Sequence, residues 1–423
     1  MKKHIYIYVC FLALAACSQK ENLKGHRENI ELSAESNPSL KDDTPVVLDD
    51  VLHNSNFVQS AYSAQHWHDP LAIKIKTLSE KWSASLDFES SDQIRPLSPT
   101  VAAEGKVFCM DAAGIVYAFD EKSGNLIWKI STTHKNKDGQ VGGALAFSDG
   151  HLIVSTSFAE AFSLDAQTGT IQWRKKIPAP CKGDGITIDS GKAYLLCDNG
   201  VLQVLNVSDG SVIWAHSGMP TFTTYAGSAG VAVCDGVVYV AYPSGEVFAL
   251  LENGSVLWSA IISKFSFSNA SKSFSHPRAC PIVKDNILYV VCASRQITAF
   301  DIKNGNILWQ RDHGSTQTPA LSGNSLFIYD DNSELVCLNK DTGNVKWSKK
   351  LSDNSEIVWY GPILSSDGLI LTSSKGNVIC LSAKDGSTIK AFDADSTGIS
   401  VPPTVANETL YILGDSGKLA AYK

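Results

Sequence analysis

The sequence predicts an all-β fold, an eight-bladed β-propeller of four-stranded antiparallel blades, and two observations carry this prediction. The first is a recurring phrase in which Asp or Asn is followed four residues later by Gly and eight residues later by Trp. Complete copies begin at Asp120, Asp165, Asn206, Asp301 and Asn339. The second is the spacing of the Trp-type positions, which lie about 38 to 51 residues apart, as in propellers or helical repeats.

Local chemistry favours strands over helical repeats. The residues before each turn, such as 116–119 and 297–300, are short runs of β-formers bounded by turn residues. The Asp or Asn can bond its own backbone two residues on, and the Gly supplies the left-handed conformation that closes a hairpin. In the first repeat the pattern predicts strands near residues 99–103, 106–111, 115–120 and 125–130. The Trp is expected to fill the gap between adjacent blades.

The count of strands predicts how the ring closes. The last third-type strand, 418–422, has no fourth strand after it, whereas a lone fourth-type strand, 81–86, precedes the first repeat. We therefore expect the N-terminal strand to complete the C-terminal blade, so that residues 76–423 form one ring without a long free edge.

The first residues predict export and lipidation. Residues 1–16 combine a positive start with a nine-residue apolar stretch, too short to span a bilayer but typical of a signal peptide. The sequence Leu-Ala-Ala-Cys at 14–17 resembles a bacterial lipoprotein signal, in which cleavage precedes Cys17 and the cysteine receives lipid such as palmitate. Ordinary secretion with an incidental cysteine is the alternative. In such lipoproteins Ser18, rather than Asp, favours the outer membrane.

The segment after the signal is predicted to be a linker. Residues 17–75 are expected to form a lipidated flexible tether, because the first 40 or so are polar and lack a β period. A short helix is predicted near residues 71–78.

Charge and motifs exclude several classes of function. The net charge is −7 and no basic cluster interleaves with aromatics, which argues against a nucleic-acid partner. The sequence has no Walker-type loop, nucleophile elbow or zinc motif, so no catalytic residue, cofactor or metal site is predicted. His66 and His68 could hold a metal, but two ligands at this spacing are weak support.

Cys337 and Cys380 fill equivalent slots of adjacent sheets about 10 Å apart, too far for a disulfide.

The repeat resembles the quinoprotein-type propeller family, which includes quinone-cofactor alcohol dehydrogenases and the BamB-type lipoproteins of the outer-membrane β-barrel assembly machinery. From about residue 80 onward, the eight repeats, the strand closure, the lipoprotein signal and the size follow the BamB type. A dehydrogenase of this kind would be longer and would carry two adjacent cysteines, which this sequence lacks. The resemblance implies a non-catalytic scaffold on the periplasmic face of the outer membrane. It would dock on periplasmic domains of a BamA-like barrel subunit and promote barrel folding and insertion.

Two loops carry the rest of the resemblance. A Met-Pro loop at 218–229 follows Trp214, and the longest connection, 259–279, follows Trp258. Phe222 keeps the apolar character of the family's contact residues, whereas Thr224 and Tyr225 replace Leu and Arg. The residues expected to bind the partner are Phe222, Thr224, Tyr225, Phe265, Phe267, His276 and Arg278, the histidine and arginine standing where the family has acidic residues.

Several alternatives stay open at this point. Phe265 and Phe267 could instead fold back and cover the end of a blade. Other assembly lipoproteins are expected partners, and unfolded outer-membrane proteins could pair with exposed strand edges. The alternative functions are a periplasmic quinoprotein-like oxidoreductase and a polysaccharide-binding or adhesion propeller.

Overall fold

The structure, a computed structural model, describes residues 40–87, 95–96, 98–132, 142–220, 229–262, 277–293 and 296–423. These residues form eight four-stranded antiparallel sheets, which are the blades of a β-propeller, and the predicted fold class is confirmed. Within the described ranges the helical element is a 3-10 helix at Ile75–Thr77, shorter than the predicted helix. None of the described residues belongs to a helix long and apolar enough to cross a bilayer.

The first four blades follow the sequence order. Blade 1 contains β2 (Val101–Ala103), β3 (Lys106–Met110), β4 (Ile115–Asp120) and β5 (Leu126–Ser131); blade 2 contains β6 (Gly143–Ser148), β7 (His151–Thr156), β8 (Glu160–Asp165) and β9 (Ile171–Lys176). Blade 3 contains β10 (Ile186–Asp189), β11 (Lys192–Leu196), β12 (Val201–Asn206) and β13 (Val212–Ser217); blade 4 contains β14 (Ala232–Cys234), β15 (Val237–Ala241), β16 (Glu246–Leu251) and β17 (Val256–Ile261).

The remaining blades repeat this plan until the last. Blade 5 contains β18 (Ile282–Lys284), β19 (Ile287–Cys292), β20 (Gln296–Asp301) and β21 (Ile307–Arg311); blade 6 contains β22 (Ala320–Ser322), β23 (Ser325–Tyr329), β24 (Glu334–Asn339) and β25 (Val345–Lys350). Blade 7 contains β26 (Trp359–Ser365), β27 (Gly368–Ser373), β28 (Asn377–Leu381) and β29 (Thr388–Asp393); blade 8 contains β30 (Thr404–Ala406), β31 (Thr409–Leu413), β32 (Lys418–Tyr422) and β1 (Glu80–Ser85).

Blade 8 closes the ring as predicted. Strand β1 pairs antiparallel with β32, with Trp82 opposite Ala421 and Ser85 opposite Lys418. The two ends of the ring therefore share one sheet, and no blade is left incomplete.

The repeated Trp and Gly form one contact between neighbouring blades. Trp258 of blade 4 donates its indole N–H to the carbonyl of Ile302 in blade 5, at 2.7 Å. Gly305 lies in the same turn with φ 73°, and a Cβ added there would lie 2.5 Å from the Trp258 ring. The same pairing joins Trp82 to Gly124, Trp128 to Gly169, Trp173 to Gly210, Trp214 to Gly254, Trp309 to Gly343 and Trp347 to Gly386. The Gly is thus required by its backbone conformation and by the indole against it.

The degenerate copy in blade 7 has a structural reason. Lys390 occupies the Trp position, and the next blade has no turn for an indole to cover, because β32 and β1 are separate in sequence. Instead, the Lys390 ammonium donates to the carbonyl of Leu78 at 2.7 Å and to that of Lys76 at 3.4 Å. The residue therefore ties blade 7 to the segment that leads into β1.

The ring has two distinct faces, because consecutive strands alternate in direction. The Asp-x3-Gly turns lie on one face, which we call the turn face. The connections from each fourth strand to the next blade lie on the other, which we call the loop face. First strands such as β2 and β22 are buried along their whole length, whereas fourth strands such as β5 are mostly exposed, so the first strands lie nearest the axis.

Residues 49–73, which we call the strap, contact the first strand of every blade or the turn that follows it. The contacts run from Asp49 to Gly323 (blade 6), Asn54 to Val405 (blade 8), Phe57 to Ala102 (blade 1), Val58 to Phe147 (blade 2), Gln59 to Ile188 (blade 3), Ala64 to Val233 (blade 4), Gln65 to Val283 (blade 5) and Leu71 to Leu364 (blade 7). Because the first strands surround the axis, the strap fills the axial channel.

The strap corrects the expectation of a flexible linker as far as residue 75. Leu71, Ile73 and Ile75 are at most 2% exposed, and their burial offsets the entropy lost when the segment is ordered. Even the residues before the strap are held, since Val345 of β25 exchanges two backbone hydrogen bonds of 2.8 Å with Leu40 and Asp42. Residues 1–39 lie outside the described part of the chain.

Candidate partner-binding site

Most of the residues predicted to bind a partner lie outside the described residues. Phe222, Thr224 and Tyr225 fall within residues 221–228, and Phe265, Phe267 and His276 fall within residues 263–276. The predicted lipid attachment residue, Cys17, is also outside the described residues. Arg278 is described, as are the stems of both loops, and these stems define where the loops leave the ring.

The first loop leaves the ring over blade 4. After β13 the chain passes Gly218, where an added Cβ would overlap the ring of Tyr242 in blade 4. The Tyr242 hydroxyl lies 2.7 Å from Nδ1 of His216, which stacks against the same ring. Only Gly allows the backbone to cross so close to an aromatic face, so the direction of this stem is fixed.

The next residue of this stem is exposed but anchored through its backbone. The N–H of Met219 donates to a carboxylate oxygen of Glu246 at 2.6 Å, and that oxygen also accepts from Ser244 at 2.7 Å. The Met219 side chain is 57% exposed. The loop at residues 221–228 therefore begins on the loop face, directly above blade 4.

The second loop leaves from the other side of blade 4. Ile262 follows β17 and donates its N–H to the carbonyl of Gly245, which holds the outgoing stem against blade 4. The returning stems of the two loops meet, because the N–H of Gly230 lies 3.1 Å from the thiol sulfur of Cys280. The described stems of the two predicted loops thus flank one blade on one face, which sequence spacing alone does not establish.

The positive charge of Arg278 influences the pKa of two side chains near the axis, Asp184 and Tyr360. Burial raises the pKa of the Asp184 carboxyl, while a hydrogen bond from Ser60 and the positive charge of Arg278 oppose this shift. The Arg278 charge also lowers the pKa of Tyr360, against the dominant effect of burial. Arg278 itself is partly exposed. It therefore contributes positive charge at the loop-face mouth of the channel, beside the returning stems.

His66 and His68, the two histidines with metal-ligand spacing, have structural roles. His66 lies between Pro281 and Thr187, and His68 bonds the carbonyl of Asp69 at 2.8 Å. Burial lowers the pKa of both imidazoles to about 4. In the described ranges no group of three or more His, Cys, Asp or Glu side chains is placed to hold a metal.

The strap leaves little room for a ligand on the axis. Beside it lies a cavity of about 40 Å3, bordered by His66, Trp67, Gln317 and Pro362. A cavity of about 580 Å3 opens on the turn face between blades 8 and 1, where Lys81, Lys122 and Lys423 are among the lining residues. The cavity beside the strap is smaller than the roughly 300–1,000 Å3 of typical ligand sites.

The described cysteines are unpaired thiols. Seven are buried, and Cys234 is partly exposed. Burial raises the pKa of Cys337 and Cys380 to about 12, so both are protonated and pack as small apolar residues.

Comparison with known proteins agrees with this architecture. Residues 112–349 match the family described as outer membrane protein assembly factor BamB. The factor of this name from Yersinia pestis is 27% identical over 349 residues, covering 81% of this chain and 88% of the relative. The crystal structure of BamB from Moraxella catarrhalis is 19% identical and superposes with a TM-score of 0.70, covering 82% of this chain and 99% of that one.

Propellers of other functions share the fold. A europium-containing methanol dehydrogenase superposes with a TM-score of 0.68 at 12% identity, covering 85% of this chain and 89% of that one. At that identity the likeness shows the fold alone. The family match spans more than half of the sequence, and on that ground this chain belongs to the family of the outer membrane protein assembly factor BamB.

Proposed function

We propose that this chain is a non-catalytic scaffold lipoprotein of the outer-membrane protein assembly complex. It is anchored through lipid on Cys17 at the periplasmic face of the outer membrane. Its loop face docks on periplasmic domains of a BamA-like barrel subunit, beside other assembly lipoproteins, and promotes β-barrel folding and insertion. Family membership supports the role in assembly.

The observation that most supports docking is that the described stems of the two loops converge on blade 4. The stems at Met219 and Ile262 leave on the same face, and the returning stems touch through Gly230 and Cys280. Loops carried by a rigid scaffold are where binding residues concentrate. The apolar Phe222, Phe265 and Phe267 would supply the buried centre of the interface and Arg278 its polar rim.

The filled channel supports a non-catalytic role. An oxidoreductase of this fold needs room for an organic cofactor, and the cavity described beside the strap measures about 40 Å3. Family membership points in the same direction, since the matching relative is named as an assembly factor.

A pull-down from native membranes tests the docking surface. Phe222→Asp should remove the BamA-like protein from the eluate, because a buried interface charge without a partner weakens binding by several kcal/mol. The matched control is Leu126→Asp on the turn face of blade 1, where the native side chain is 48% exposed.

The control variant should retain the partner, and both variants should unfold at nearly the native temperature. Loss of the partner from the Leu126 variant alone would place the interface on the turn face. A large fall in thermal stability with Phe222→Asp would mean that Phe222 belongs to the core and not to an interface.

A further inference from the structure

The middle of the strap differs chemically from Phe57 and Leu71, the two residues that flank it. Phe57 and Leu71 are at most 2% exposed and are held by backbone hydrogen bonds, from Phe57 to Ala102 at 2.7 Å and from Leu71 to Leu364 at 3.1 Å. Most of the residues between them, 59–69, are polar, and they include two histidines. We call residues 59–69 the latch loop. Apolar burial anchors Phe57 and Leu71 on either side of the latch loop. The loop itself is held by polar contacts together with the packing of Tyr62, Ala64 and Trp67 against the surrounding core.

His66 is fitted to its site as a neutral ring. It is 2% exposed, with Nδ1 2.8 Å from the carbonyl oxygen of Pro281 and Nε2 3.2 Å from the hydroxyl of Thr187. A carbonyl oxygen only accepts, which assigns the proton to Nδ1 and leaves Nε2 to accept from Thr187. A second proton on Nε2 would displace that hydroxyl hydrogen and bury a charge. The packed loop therefore disfavours the imidazolium form.

His68 is also packed as a neutral ring, and a fixed cation lies near it. It is 7% exposed, and its Nδ1 donates to the carbonyl of Asp69 at 2.8 Å. Lys284 lies 3.9 Å from the Trp67 ring centre and 2.5 Å from Asp49. Its positive charge repels an imidazolium at His68. Burial, which is the larger cause, and Lys284 together lower the pKa of His68 to about 4.

Among the described residues, six other charged side chains lie around the two rings. Asp184 and Arg278 lie on the side of His66, and Asp49, Asp50, Asp69 and Lys284 lie on the side of His68. Burial raises the pKa of Asp184 and of Asp69, so acid neutralises both carboxyls where the packed loop already favours the neutral form. These carboxyls therefore stabilise the packed loop on acidification, and the two histidines destabilise it.

The backbone of the latch loop is strained. Ala61, Tyr62 and His66 have φ values of 55°, 76° and 61°, in the left-handed region that non-glycine residues rarely adopt. Such residues persist only where surrounding contacts hold them. Loss of the contacts around His66 and His68 therefore removes what keeps the loop in place.

We propose that residues 59–69 form an acid-sensitive latch on the axial channel. Protonation of His66 and His68 releases this loop, while Phe57 and Leu71 keep the ends of the strap attached and the pairing of β1 with β32 keeps the ring closed. The channel then opens to solvent without unfolding of the blades.

The sign and size of the effect follow from proton linkage. Both histidines have a packed-state pKa near 4, below the free value of 6.5, so the stability of the closed loop is complete above pH 6.5 and is lost as the pH falls toward 4. Between pH 7 and pH 5 the opening equilibrium should rise about 20-fold for each histidine. Two independent histidines give up to a few hundredfold, and the opposite effect of Asp184 and Asp69 reduces this figure.

Hydrogen exchange on the full chain tests the latch. The amides of Val233 and Val283 donate to the carbonyls of Ala64 and Gln65, so their protection reports the loop. The amide of Ala102 donates to Phe57 and reports the anchored end. From pH 7 to pH 5 the protection factors of Val233 and Val283 should fall by up to a few hundredfold, and that of Ala102 should stay constant. Constant protection at all three amides would overturn the proposal, as would a parallel loss at all three.

A variant without the two titrating groups provides the control. His66→Gln combined with His68→Gln keeps hydrogen-bonding side chains that do not change charge. This variant should lose the acid-induced release. Any remaining change of protection with pH should have the opposite sign, because acid neutralises Asp184 and Asp69. The same acid-induced loss in the variant and the native chain would refute the assignment. If the double variant does not fold, His68→Gln alone should halve the logarithm of the effect.

Discussion

Substituting one glycine of the repeat should separate the two requirements for Gly, its left-handed backbone conformation and its contact with the Trp indole. Gly305 has φ 73°, and an added Cβ would lie 2.5 Å from the Trp258 ring. Gly191 has nearly the same φ of 72°, and an added Cβ there would meet nothing within 4 Å. Gly191→Ala therefore measures the backbone cost alone, whereas Gly305→Ala adds the collision with the indole.

The two costs can be estimated from the geometry. An L-residue in the left-handed conformation costs roughly 1–2 kcal/mol, so Gly191→Ala should lose that amount of stability. Forcing an extra methyl into a packed site costs a further 1–3 kcal/mol or so. The Trp258 ring cannot move away freely, because its N–H bonds Ile302 at 2.7 Å and its side chain is 9% exposed. Gly305→Ala should therefore lose about 2–5 kcal/mol in all.

Urea unfolding followed by circular dichroism and by Trp fluorescence measures both variants. The midpoint of Gly305→Ala should fall clearly below that of Gly191→Ala, with similar slopes for the two transitions. Equal midpoints would refute the account, because they would mean that the Trp–Gly contact between blades adds nothing beyond the backbone preference.

Three further predictions follow from the strap, the anchor and the channel. Phe57→Ala should lose about 3–5 kcal/mol in the same urea assay, since Phe57 is 2% exposed, and an unchanged midpoint would mean that the strap is dispensable. Cys17→Ala should move the protein from the membrane fraction to the soluble fraction, because acyl chains supply the proposed anchor, and retention in the membrane fraction would contradict this. Purified protein given a quinone cofactor, Ca2+ and a dye acceptor should reduce no dye above the blank, whereas robust turnover would restore the oxidoreductase alternative.

The repeat made the fold predictable, because its residues act locally and recur. The Asp or Asn side chain, the left-handed Gly and the Trp have the same places in the five complete copies, so their spacing defines strands and blades together. Even the closure of β1 on β32 could be predicted, because the sequence has one surplus strand before the first repeat and lacks one after the last. The degenerate copy at Lys390 marks the blade before that closure, where the turn for a Trp to cover is missing.

The strap could not be predicted, because its contacts leave no period in the sequence. Residues 49–73 bind the ring chiefly through backbone groups, and their polar composition resembles that of a linker. The run Leu71, Ile73 and Ile75 was the available signal, since its alternation indicates a face that must be buried. The burial of His66 could likewise not be predicted from the sequence, because it depends on Pro281 and Thr187 from two distant blades.

The candidate site was only partly accessible from sequence. Loop length and aromatic content identified two connections, but their meeting beside blade 4 depends on Gly218 crossing Tyr242 and on Gly230 reaching Cys280. Arg278 was expected to contact a partner directly, and the structure places it where its charge also acts on the partly buried Asp184. Such long-range neighbours follow from the ring geometry and not from local pattern.

Site-specific photo-cross-linking in living cells tests the docking account most directly. A photoreactive residue replacing Thr224 in the first loop should give an adduct with the BamA-like barrel subunit, identified by mass spectrometry. The same residue at Leu126 on the turn face should give none. An adduct from position 126 and none from position 224 would contradict the proposed docking face.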